Sequence, residues 1–170
     1  MLRLLVLLML LLSAPVGAQQ EQLITPGGPL IIRQLDKRLL GSNFVVMLGE
    51  REVIRTEEGD ENATFPDFPV PRVIAYAEKG IPPFSAVAVF QQFSWGNACS
   101  GGPIWFLGIH KDGTFWASNP IDFCGGAPPI VSITSDAIHV ILPGSDLGNG
   151  SAPTPKREWV LSQGKVELAR

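Results

Sequence analysis

The chain predicts an all-β domain: an antiparallel β-sandwich or partly open barrel of about nine or ten short strands, closed by one disulfide. Three observations predict it. Apolar residues come in short runs with turn residues between them, the pattern of a sandwich or barrel. The 18 glycines and 15 prolines, about a fifth of the chain, exceed the ordinary share without reaching that of a disordered segment. Beyond the first 18 residues, no stretch sustains a 3.6-residue apolar period.

The first 18 residues stand apart. Met1-Leu2-Arg3 gives a positive start, residues 4–12 carry no polar side chain, and Val16-Gly17-Ala18 ends on small residues. These are the three parts of a secretory signal peptide, with cleavage after Ala18. A membrane anchor needs about 20 apolar residues, and Pro15 and Gly17 interrupt this run well short of that. The expected mature chain, residues 19–170, is long enough for a single domain with its own core. It is expected to be secreted or periplasmic, without stable membrane insertion.

Strands are expected over 44–48, 52–56, 72–77, 84–95, 103–110, 114–118, 130–134, 137–142, 158–161 and 165–168, with 30–35 as an optional first strand. Gly49-Glu50, Lys111-Asp112-Gly113, Ser135-Asp136 and Ser162-Gln163-Gly164 mark the turns between neighbours. Residues 57–71 are polar, acidic and proline-bearing, and 143–155 are rich in Gly, Ser and Pro; both read as loops. Residues 32–40 offer the best helical alternative, with Leu35, Leu39 and Leu40 on a helical spacing.

The turn at Lys111-Asp112-Gly113 allows a register to be written. A three-residue loop with glycine in the left-handed position is a common hairpin connection, and it sets His110 opposite Thr114. Ile109 then meets Phe115, Leu107 meets Ala117, and Trp105 meets Asn119. Alternate residues share a face, so Trp105, Leu107, Ile109, Phe115 and Ala117 form one core-facing side. Phe106, His110 and Trp116 fall on the other, with Trp116 over Gly108. The same register brings Cys99 opposite position 125, beside Cys124, at the open end of the hairpin. In an exported chain an even cysteine count reads first as a disulfide, and this one closes a loop worth about 3 kcal/mol in the chain-entropy picture.

Charge excludes some functions. The formal net charge is −3, with no basic stripe, so neither a nucleic-acid footprint nor an anionic-lipid surface is present. The two histidines, His110 and His139, share no zinc spacing with the cysteines. The six carboxylates between Glu50 and Glu61 lack calcium-loop spacing and read as a solvated acidic loop. No metal or cofactor is therefore expected. Asn62-Ala63-Thr64 and Asn149-Gly150-Ser151 match the glycosylation acceptor pattern.

Ser100-Gly101-Gly102-Pro103 resembles the segment around the nucleophile of chymotrypsin-like serine proteases. The resemblance covers these four residues alone. Cys99 stands where that family has Asp, and no histidine precedes Ser100. What it implies is a small secreted hydrolase using Ser100 with His110 or His139 as base.

Nine of the fourteen aromatic residues fall between Phe84 and Phe123. Most must serve a core, but the alternation sends Phe106 and Trp116 away from Trp105 and Phe115. In a two-layer domain that second side faces solvent or a partner. The expected function is thus a non-catalytic binding or accessory domain, inhibitor-like or a complex subunit, engaging a protein partner through Phe106, His110 and Trp116. The hydrolase is one alternative; a carbohydrate-binding module, in which aromatic faces stack on sugars, is another.

Overall fold

A computed structural model describes residues 22–35, 43–55, 71–92, 102–123, 127–144 and 154–169. These residues form twelve strands in chain order: β1 (Gln22–Thr25), β2 (Gly28–Gln34), β3 (Phe44–Leu48), β4 (Arg51–Arg55), β5 (Arg72–Ala77), β6 (Ala86–Gln91), β7 (Ile104–Ile109), β8 (Phe115–Ala117), β9 (Ile130–Ile133), β10 (Ala137–Leu142), β11 (Arg157–Ser162) and β12 (Lys165–Leu168). They build three four-stranded antiparallel sheets, each a run of neighbours in sequence: β1–β4, β5–β8 and β9–β12. No helix occurs among the described residues, and Ile32, the first residue of the helical alternative, lies in β2. The strand that sequence reading left out is β1, which pairs with β2 through a tight turn at Pro26-Gly27.

Local chemistry explains the turns. Gln163 and Gly164 both have positive φ, 50° and 76°, between paired Ser162 and Lys165. That is the two-residue geometry whose twist matches the flanking strands. At Lys111-Asp112-Gly113 the expected three-residue loop is present, with Gly113 at φ 78°. His110 N–H donates to Thr114 C=O, and Gly113 N–H donates to His110 C=O.

The expected register holds from Ile109↔Phe115 through Leu107↔Ala117. It then slips by one: Ile104 bridges Ile121, so Asn119 and Pro120 share the place opposite Trp105. Proline has no N–H to give a ladder, and a bulge accommodates it. Just before the slip, Ser118 Oγ accepts the Phe106 N–H at 2.9 Å while Ser118 N–H donates to Phe106 C=O. Cys99 and Cys124, between which a disulfide is expected, lie outside the described residues, as do residues 1–18, Asn62, Ser100 and Asn149.

Two core clusters show how the sheets stack. Leu30, Phe44, Val46 and Leu48 of the first sheet pack on Ala88, Phe90, Trp105, Leu107 and Ile109 of the middle sheet. Ile138, Val140, Leu142 and Leu161 of the last sheet pack on Val87, Val89, Ile104 and Phe106, the opposite face of that same sheet. The middle sheet is therefore covered on both sides, and every residue of β6 and β7 is buried. Phe90 and Trp105, directly paired across β6 and β7, lie parallel with ring centroids 3.9 Å apart.

This layering corrects a two-layer reading of the β7–β8 hairpin. Trp105, Leu107 and Ile109 do face a core, but so do Ile104 and Phe106, and Phe106 has no exposed surface. The third sheet supplies the cover.

A clasp joins the first two sheets at their turns. Arg51 Nη2 donates to the Gly113 carbonyl, and its guanidinium carbon lies 5.9 Å from the Phe115 ring centroid. Gly27 and Gly113 approach so closely that a Cβ on Gly113 would sit 3.2 Å from the Gly27 Cα. On the β5 side, Tyr76 Oη donates to the Ile24 carbonyl at 2.9 Å. Burial, and then the charge of Glu78, push the Tyr76 hydroxyl above its ordinary pKa.

Candidate functional site

Of the three residues expected to form a binding face, the structure brings two together. His110 ends β7 at the hairpin loop, and Trp116 stands in β8 opposite Gly108. Between them lies Phe84, from the turn that leads into β6. Its ring stacks on Trp116 at 5.4 Å between centroids and 17° between planes, and it meets His110 at 5.0 Å and 55°. Phe106, by contrast, sits beneath the last sheet and offers nothing to a partner.

Phe84 rather than Trp116 fills the space above Gly108. A Cβ on Gly108 would lie 2.5 Å from Phe84 Cδ1 and 2.6 Å from Cε1. The missing side chain makes room for a ring, and Trp116 stacks on that ring from the outside. Phe84 is nearly buried, whereas Trp116 and His110 are each partly exposed. The ends of the last sheet brace the same place: a Cβ on Gly164 would lie 3.1 Å from Pro83 Cδ and 3.9 Å from Phe84 Cζ. Sequence reading set Phe84 at the head of a strand over 84–95, but β6 begins at Ala86 and Phe84 lies in the turn before it, where strand alternation does not place a side chain.

The hairpin loop is held in its own plane. Asp112 Oδ1 accepts from the Thr114 N–H at 2.9 Å and from the Thr114 hydroxyl at 2.7 Å. These two bonds hold the Asp112 carboxyl below its ordinary range, the hydroxyl bond contributing most. Beside this loop Trp116, Phe84 and His110 form a step of contacting rings.

His139 lies elsewhere, on the outer face of the last sheet, as its alternation with the buried Ile138 and Val140 requires. Its Nδ1 meets Glu158 Oε1 at 2.8 Å across β10 and β11. Ser132 stands directly opposite His139 in the ladder. The three form a row of hydroxyl, imidazole and carboxylate, yet Ser132 makes no hydrogen bond to the imidazole, and the row lies along an open sheet face. The neighbouring N–H groups run in the sheet plane, pairing strands, and do not converge on a point where an oxyanion could sit. Ser100, the hydroxyl singled out in the sequence, lies outside the described residues.

Among the described residues no three His, Cys, Asp or Glu side chains come together as a metal site. No described helix is long and apolar enough to cross a membrane. No family model, curated protein or solved structure matches this chain.

Proposed function

We propose that the protein is an exported, non-catalytic binding or accessory domain that engages a protein partner, as an inhibitor or a subunit of a complex. The observation that carries this reading is the braced aromatic step: a partly exposed Trp116 seated on Phe84, with His110 on that ring's other flank. Tryptophan is enriched where binding energy concentrates, and a ring already fixed by its neighbours loses little entropy when a partner covers it. In this reading residues 1–18 are a leader cleaved after Ala18, residues 19–170 form the exported domain, and a Cys99–Cys124 bond ties it. The −3 net charge argues for a protein partner over nucleic acid.

The test uses the purified, oxidised protein as bait in its native medium or envelope, beside Trp116→Ala and Ser100→Ala. The expected result is a defined partner that Trp116→Ala loses and Ser100→Ala keeps, with circular dichroism showing both variants folded. Identical captures for wild type and Trp116→Ala would sink the reading. Capture of glycans alone would point to the carbohydrate-binding alternative, and esterase or peptidase activity abolished by Ser100→Ala to the hydrolase. Reducing agent should lower the melting temperature of the wild type, and Cys99→Ser should do the same.

A further inference from the structure

The three sheets repeat one another in more than strand order. The first hairpin turn of the first sheet meets the second hairpin turn of the middle sheet, at Gly27 and Gly113. The middle and last sheets meet in the same way: Phe84, in the connection from β5 to β6, lies against Gly164, in the turn from β11 to β12. First strands also meet first strands. Tyr76 of β5 donates to the Ile24 carbonyl of β1, and β5 and β9 approach within 8 Å between Cα atoms. In both contacts most of the buried core comes from second and third strands. The last sheet therefore stands to the middle sheet as the middle stands to the first. A relation repeated about an axis closes into a ring or runs on as a filament, and four-stranded meanders stacked face to face close with about four to eight members.

Among the described residues two faces carry no neighbouring sheet: the far side of the first sheet and the far side of the last. On the first, Ile24 of β1 is 72% exposed, and Ile31 of β2 and Met47 of β3 are half-buried. On the last, Ile130 of β9 is 59% exposed, and Ile141 of β10 and Val160 of β11 are half-buried. The apolar positions thus correspond strand for strand, while the charges are opposed. Arg33 and Arg55, which flank the buried Val45 in the ladder, stand at the end of the first sheet away from its hairpin turns. Glu158 stands at that same end of the last sheet, opposite Ile141.

We propose that the far face of the last sheet docks on the far face of the first sheet of a second copy, and the reverse, so that two copies close a ring of six sheets about a two-fold axis. A second copy is the occupant because one chain carries both halves of the contact: the repeat lacks a sheet behind the first and a sheet beyond the last. Applying the same relation once more lays β10 and β11 on β2 and β3 of the partner subunit. Ile141 and Val160 then cover Ile31 of the partner subunit, and Glu158 comes to Arg33 of the partner subunit at the end away from the turns. Opposed charges of this kind fix register and exclude the reversed arrangement. This surface is separate from the Trp116 step, and the inference does not depend on it.

Sedimentation equilibrium of the purified, oxidised protein over a wide concentration range should show a monomer–dimer equilibrium that stops at two copies. Arg33→Glu and Glu158→Arg each set like charges together at both contacts of the ring, and each should weaken the dimer about tenfold or more. Mixed in equal amounts, the two variants should associate as tightly as the wild type, because both contacts of the mixed ring then join opposite charges. Arg33 is exposed and Glu158 partly so, and circular dichroism checks that both variants fold. Ile130→Lys, at an exposed position, should also weaken the dimer and decides the matter if a charge variant does not fold; Trp116→Ala should leave the dimer intact. A monomer at every concentration, growth beyond two copies, a dimer indifferent to Ile130→Lys, or a mixture no tighter than its components would each overturn the proposal.

Discussion

The middle sheet and the last sheet are both four-stranded antiparallel meanders, yet they use their faces differently. In β10, Ile138, Val140 and Leu142 are buried while His139 and Ile141 remain partly exposed. In β6 and β7 every position is buried, because one face packs on the first sheet and the other on the last. The last sheet can therefore hold polar chemistry such as the His139–Glu158 pair on its open side. The middle sheet can reach solvent only at its edges and ends, which is where Trp116 and His110 stand. Position in the stack, not strand type, decides which aromatic residues reach the surface.

Truncation is the hardest way to break this comparison. Phe106→Ala in the middle sheet should cost about 3–5 kcal/mol in denaturant unfolding, whereas Val160→Ala on the open side of the last sheet should cost about 1 kcal/mol or less. Equal costs would mean that the middle sheet is not covered twice. Overpacking gives a smaller effect. Gly108→Ala drives a methyl into the Phe84 ring and should destabilise by about 1–3 kcal/mol. It should also change the Trp116 fluorescence, since the two rings move together.

The contacts between the first and middle sheets are individually weaker. Arg51→Met removes the bond to the Gly113 carbonyl and the charge over Phe115, and should cost about 1–2 kcal/mol. Thermal melts of Arg51→Met at low and high salt would check whether the charge contributes beyond the stem.

Tyr76→Phe should cost the least, about 0.5–1.5 kcal/mol, for one hydrogen bond to Ile24. It sharpens the comparison through pH. Because the folded state raises the Tyr76 pKa, the native protein binds more protons than the unfolded chain above the ordinary tyrosine value of about 10. Stability therefore falls as pH rises past that point, and Tyr76→Phe should flatten that part of the profile. The Asp112 carboxyl has the opposite sign. Its folded pKa is lowered, so its contribution is present above the ordinary carboxylate range and is lost as pH falls through and below it.

Much of the fold was legible locally. The Lys111-Asp112-Gly113 loop is set by one glycine and its neighbours, and the register from His110 to Ala117 follows from loop length alone. That register fails where a distant demand enters: Pro120 cannot donate, and the bulge it needs moves Ile104 onto Ile121. The covering of Phe106 was misread for a related reason. Alternation tells which residues share a face, not whether a second sheet will lie on it. The unbroken apolar run from Ile104 to Ile109 was the available sign, since a strand buried on both faces has no polar side to show.

Sequence alone determined the strand character, the turn types and the pairing of neighbours, because these depend on residues a few positions apart. The tertiary structure decided which faces are covered, which glycine yields to which ring, and that Trp116 is held by Phe84. Those outcomes depend on packing between segments far apart in the chain, where no period or turn rule reaches. The same stacking that buried Phe106 left Trp116 and His110 at the margin of the middle sheet.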